Sequence, residues 1–192
     1  GLERVGAAAA DGYTLSQASA GNTANQAARP KAAYDIANNL KPVGKICQAA
    51  FSLVVAPALK VKSVDEFIRI AKTQQGKLSF GSIGHGSSQH LVGEMFAAQA
   101  GLDMLHVPYK GSAPAIVDAV GGHVEILFVG VSSIIQLIDA GKLRPLASGG
   151  EKRLAVLPKT PTFIESGYPE MTTSVWFGLL APIGTPTDIV NK

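Results

Sequence analysis

Residues 78–101 read LSFGSIGHGSSQHLVGEMFAAQAG. An apolar strand runs into a loop with glycines at 81, 84 and 86, and Ser87 and Ser88 then open an amphipathic helix. A strand passed straight to a helix through a short glycine turn is a βα unit. The first N–H groups of such a helix have no partner within it, and the helix dipole favours negative charge there. Two readings follow from the residues alone: a seat for a carboxylate or phosphate, or an ordinary tight βα connection. The spacing is GxxGxG; it matches neither the GxGxxG of a dinucleotide site nor the P-loop pattern.

The same alternation extends outward in both directions. Candidate strands fall at residues 13–18, 51–56, 78–82, 104–107, 124–129, 144–148 and 174–181, and several are short continuous apolar runs of the kind buried on both faces. Between them, Ser63-Val64-Asp65-Glu66 reads as a capping box, followed by Val64, Phe67, Ile68 and Ala71 at the spacing of one buried face. Leu91, Val92, Met95 and Phe96 share a side of the next helix, which ends at Gly101. A third helix begins near Ser112, with Pro114 in its first turn and Ile116, Ala119 and Val120 inward. A fourth packs Ile134, Ile135, Leu137 and Ile138 and stops at Gly141. Strand–helix–strand repetition with short links predicts an α/β fold with mostly parallel strands. Turn-rich stretches at 56–60 and 147–150 mark two crossing points. They divide the chain into a continuous lobe, 58–146, and a discontinuous one, 1–57 with 147–192.

Apolar residues make up 46% and charged residues 16% of the 192, the balance of an ordered globular protein. The net charge is +3, with no basic run and no aromatic interleaving, so a nucleic-acid surface is not expected. Cys47 is the only cysteine, which rules out an intramolecular disulfide. No apolar stretch has the roughly 18 residues that span a bilayer, and no secretory signal is visible. The chain opens on what reads as the tail of a helix. It closes as another begins, with Thr187 as its candidate N-cap, so a fragment of a longer protein is expected.

Further candidate loops lie at strand ends. Ser19-Ala20-Gly21-Asn22-Thr23 follows one strand, Tyr109 and Lys110 end HVPYKG, and Val129 closes VEILFV. Each also has a plain structural reading: a polar turn, a packing tyrosine, a core valine. His85, His90, His106 and His123 lack metal-ligand spacing, and His85 and His90 flank a helix start where they need not share a face. No metal and no cofactor are expected. His85 beside Ser87 imitates a nucleophile–base pair, but GxSxG is absent and no paired carboxylates lie near the loop.

Taken in order, DGYTL, VKSVDEFI, KLSFGSIGHGSSQHLVGEMF, HVPYKGSAPAIVDAVGGHVEILF, AGKLRPLA, LPKTPTFIESGYP and VWFGLLAPIGTP resemble the extracytoplasmic solute receptors of tripartite tricarboxylate transporters, the TctC or Bug group. The combination of GSxGxGSSxH, HVPYKG and WFGLxAPxGTP carries the resemblance. It implies a type II periplasmic-binding-protein fold, two lobes of mostly parallel sheet flanked by helices, closing on a small organic mono- or dicarboxylate. It implies periplasmic location and membrane transport subunits as partners. It also places one carboxylate loop on Gly84, His85, Gly86, Ser87 and Ser88, and another on Ser19, Ala20, Gly21, Asn22 and Thr23. Many members carry an Asp after ILF; Val129 stands there in this chain, which leans away from amino-acid ligands. Family members run longer, so the first strand–helix unit and the last helices are expected to lie outside these residues. Two other readings stay open: an α/β hydrolase or transferase using His85 and Ser87, and the effector domain of a transcription regulator.

Overall fold

A computed structural model describes residues 1–29 and 34–192. In chain order the elements are α1 (Leu2–Gly6), β1 (Ser16–Ser19), α2 (Ala20–Ala28), α3 (Ile36–Asn39), β2 (Leu40–Val55), α4 (Val64–Thr73) and β3 (Ser79–Ser82). There follow α5 (Ser88–Ala100), β4 (Leu105–Pro108), α6 (Ser112–Gly121), β5 (Ile126–Gly130), α7 (Ile135–Asp139), β6 (Arg144–Ser148), β7 (Ser174–Pro182) and α8 (Thr187–Val190). They fold as two compact units, Gly1–Ala49 with Val175–Lys192, and Ala50–Ser174.

The second unit is a five-stranded sheet, β4-β3-β5-β2-β6, with helices on both faces. β3 pairs in parallel with both β4 and β5, while β2 pairs antiparallel with β5 and with β6. Four strands therefore run one way, and only β2, which carries the chain into the unit, opposes them. β5 shows why the sequence forms a central strand. Ile126 and Phe128 turn to one face and Leu127 and Val129 to the other, all four buried. On the first face Phe67 of α4, Phe80 of β3 and Phe96 of α5 join Phe128. On the second, Val54, Leu127 and Val129 pack with Ala115 and Ala119 of α6, and with Ile134 and Leu143.

Helix boundaries follow local chemistry. Ser63 Oγ accepts from the Glu66 N–H (3.1 Å) at the start of α4. Glu66 reaches one residue further back than a strict capping box, taking the Lys62 N–H (2.7 Å). Gly101 closes α5 in the left-handed region, φ 63°, a conformation that costs a residue with a Cβ. At the C-terminal end it is Pro186, not Thr187, that precedes the first turn of α8.

The return from the second unit comes later than the turn at 147–150 predicts. Phe163 and Tyr168 each set their rings 5.6–5.7 Å from Phe96, and Ser148 bridges Thr162 in parallel. Aromatic burial thus keeps 149–173 with the second unit. In the first unit β1 and β7 pair antiparallel, so the mostly parallel expectation does not extend to that pair. Leu2, Val5, Ala18, Leu40 and Leu180 form its core. β2 starts eleven residues before the predicted strand because its first part, LKPVGKICQAA, is largely exposed and interrupted by Pro42 and Gly44. Backbones approach closely there: a Cβ on Gly178 of β7 would lie 2.9 Å from the Gly44 carbonyl oxygen.

Candidate functional site

The loop at 83–87 leaves the carboxyl end of β3, where ligands sit in open α/β sheets. Ser82 Oγ anchors it, accepting from the Gly84 N–H (3.1 Å). Gly84 and Gly86 have φ of 123° and 73°, so both turns need glycine. Ser87 is the N-cap of α5, its Oγ accepting from the His90 N–H (3.3 Å). The Gly86 N–H donates to His90 Nδ1 (3.1 Å). Gly84, Gly86, Ser87 and Ser88 are half-buried and His85 is exposed, so the loop lies at the surface of the unit.

Tyr109 lies against this loop, its N–H donating to the Ser82 carbonyl (2.8 Å). Its hydroxyl is already spent, donating to Asp118 Oδ2 (2.8 Å), and burial together with that carboxylate pushes the phenol up to about 12. Val129 is 4% exposed and belongs to the α6-side core. It also lines a cavity of about 10 Å³ with Gly81, Ser82, Ile83, Gln89 and Ser112. That volume is about one water. The buried Gln89 Oε1 has no hydrogen-bond partner among the described residues. Gln89 is a site-facing polar group that the sequence did not single out; its place one residue inside the helix start is the signal that was available.

In the first unit, Ser19 ends β1 and caps α2. Asn22 Oδ1 accepts from the Ser19 N–H (2.9 Å) and Oγ (3.2 Å), and Thr23 Oγ1 donates to the Ala20 carbonyl (2.8 Å). Ser19 and Asn22 therefore satisfy each other, while Thr23 bonds back to the Ala20 carbonyl within the first turn of α2. Beside them, Ser16, Asn22, Asn25, Arg29 and Tyr34 border a cleft of about 470 Å³. Arg29, exposed at its rim, brings a positive charge that the sequence reading did not select.

The histidines depart most from the sequence reading. His85, His90 and His106 come from a loop, a helix and a strand. Their ring centroids lie 3.8 Å (His90–His106), 4.9 Å (His85–His106) and 5.6 Å (His85–His90) apart. Parallel pairing sets Phe80 opposite His106, and Ser82 Oγ is 2.6 Å from His106 Nε2. Desolvation, with the neighbouring His90 and His85, pushes His106 down to about 4.

A pH dependence follows. Above about pH 6.5 the His106 ring is neutral in both folded and unfolded chains. Between 6.5 and 4 only the unfolded chain takes up the proton, so stability falls as pH falls through that window. Glu94, 3.5 Å from His90 Nε2, is the nearest compensating charge and faces His90 rather than His106. Chemical denaturation from pH 7.5 to 4 in the presence of a chelator checks this: His106→Phe should flatten part of the decline.

A glycine loop and a capped helix start at the carboxyl ends of codirectional strands stand where layered α/β units take their ligands. The chain belongs to the tripartite tricarboxylate transporter family receptors, matching that family along residues 1–192. BugT of Bordetella pertussis is 36% identical over 192 residues, taking in 99% of this chain and 59% of BugT. A periplasmic transporter of known structure superposes with a TM-score of 0.95 at 41% identity, covering 100% of this chain and 64% of that one. A Rhodopseudomonas palustris protein solved with adipate gives 0.92 at 36%, covering 98% and 63%. The chain therefore spans about 60% of the length of these relatives. The family is one of receptors, which does not favour the hydrolase and regulator readings. Among the described residues no helix is long and apolar enough to cross a membrane.

Proposed function

We propose that this chain is part of a periplasmic receptor that captures a small mono- or dicarboxylate and delivers it to the membrane subunits of a tripartite transporter. The observation that carries the reading is the Gly84–Ser88 loop, whose backbone converges with the capped start of α5. Family membership and the adipate complex of a relative support a carboxylate as the ligand. In this reading Ser19–Thr23, carried by the other unit, is a second candidate loop for a carboxylate. Tyr109 and Val129 shape the floor of the site rather than donate to the ligand. Magnitudes call for several polar contacts to the ligand. A hydrogen bond to a charged group contributes about 1.5–3 kcal/mol, whereas micromolar affinity needs about 8 kcal/mol net of association costs.

Calorimetric titration with a panel of C3–C6 mono- and dicarboxylates tests the reading. Ser87→Ala with Ser88→Ala should weaken binding at least tenfold. It also removes a helix cap, at a cost of about 1 kcal/mol of stability. Ser63→Ala removes the equivalent cap of α4 and is the control: a similar fall in stability with affinity unchanged. Equal affinity in the Ser87/Ser88 variant and the parent would take the loop out of the site.

A further inference from the structure

We propose that His85, His90 and His106 form a binding site for a divalent transition metal of the zinc type. One ring nitrogen from each lies within 4.8 Å of the other two. Zinc–nitrogen bonds of about 2.0–2.1 Å place ligand atoms roughly 3.3 Å apart around a tetrahedral ion. The trio must therefore draw in by up to about 1.5 Å, and the chain is built to allow it. His85 is exposed and sits between Gly84 and Gly86, so the loop that carries it has glycine freedom on both sides. His90 and His106 are held on regular elements and supply the fixed part of the site.

The chemistry of the donors fits. Metal ligation requires deprotonated imidazole, and burial, with the neighbouring His90 and His85, already disfavours protonation at His106. An all-imidazole set suits zinc, copper or nickel over calcium or magnesium, which prefer oxygen. Outer partners that orient metal-binding histidines are present too: Ser82 Oγ beside His106 Nε2, and Glu94 Oε1 3.5 Å from His90 Nε2. Ligation has two costs. The His90 and His106 rings stack at an interplanar angle of 25° and must rotate for their lone pairs to converge. His90 must also give up either the Gly86 N–H or the Glu94 contact. Three ligands from two secondary-structure elements and a loop, with a fourth position left to solvent, describe an open site rather than a closed structural one.

The experiment is titration of the Cys47→Ser protein with Zn²⁺, read by calorimetry and by competition with a chromogenic chelator. One Zn²⁺ per chain with micromolar affinity is expected, and X-ray absorption of the loaded protein should show three nitrogen scatterers. His85→Ala, at an exposed loop position, should weaken Zn²⁺ at least tenfold while thermal unfolding without metal stays unchanged. His123→Ala, an exposed histidine beyond α6, should bind as the parent does. Failure to bind Zn²⁺ in the micromolar range, or retention of full affinity in His85→Ala, would reduce the trio to a packing stack. Carboxylate affinity measured in chelator is independent of this outcome, so loss of the metal site leaves the receptor reading standing.

Discussion

Phe96→Ala is expected to destabilise the second unit by about 3–5 kcal/mol, the range for emptying a fully buried aromatic site. Phe96 is 0% exposed, and its ring meets four others: Phe67 of α4, Phe128 of β5, and Phe163 and Tyr168 from the long connection after β6. No neighbour can slide in to fill the space, because α4, β5 and the long connection each hold part of the ring cluster. A typical domain is stable by only 5–15 kcal/mol, so this one change removes a large share. Urea denaturation followed by tyrosine fluorescence measures it. The connection should loosen first, since Phe163 and Tyr168 lose a shared partner, and limited proteolysis within 149–173 should become faster. A loss under about 1 kcal/mol would mean that the five rings do not form one core.

Gly93→Ala is the second, and its sign runs against helix propensity. Ala in place of Gly inside a helix ordinarily gains about 1 kcal/mol. Here the new Cβ would stand 2.3 Å from Phe80 Cε2 and 2.6 Å from Cδ2. Phe80 is itself 0% exposed and boxed in by Phe128, His90 and His106, so its ring has no free direction to take. Overpacking of that kind costs about 1–3 kcal/mol, and the severity of the clash puts it at the upper end. The net expectation is a loss of about 2 kcal/mol by thermal or chemical unfolding. The histidine ring signals in an NMR spectrum should shift as well, because His90 and His106 both stack on Phe80. A stabilised Gly93→Ala protein would overturn this account of the α5–β3 contact.

Much of the second unit was legible in the sequence because local chemistry and tertiary packing agree there. ILFV at β5, the Ser63 cap of α4, and Ser87 with Gly101 at the two ends of α5 each specify their element unaided. The first part of β2 was not legible. After the buried Leu40 this part is largely exposed up to Ala50, carries Pro42 and Gly44, and owes its extended form to neighbouring strands. The late return to the first unit was hidden for a related reason: Phe163 and Tyr168 stand in an irregular stretch, and nothing local announces that both rings reach Phe96. For the candidate site, the glycine loop and its capping serine were readable from spacing. The orphaned Gln89 and the histidine trio were not. His106 lies sixteen residues beyond His90, and only the parallel register of β3 with β4 brings it under the start of α5.

β5 carries an implication for how this protein tolerates change. From Ile126 to Val129 both faces are filled, and no side chain looks out on water. Codon-by-codon randomisation of that stretch should give an unbroken block of intolerance, with only near-isosteric apolar replacements surviving. β1, where Ala18 alone is buried, should instead show one restricted position among permissive ones. The unbroken block is the signature by which variation in natural populations would betray the innermost strand, even to someone who had never seen the fold.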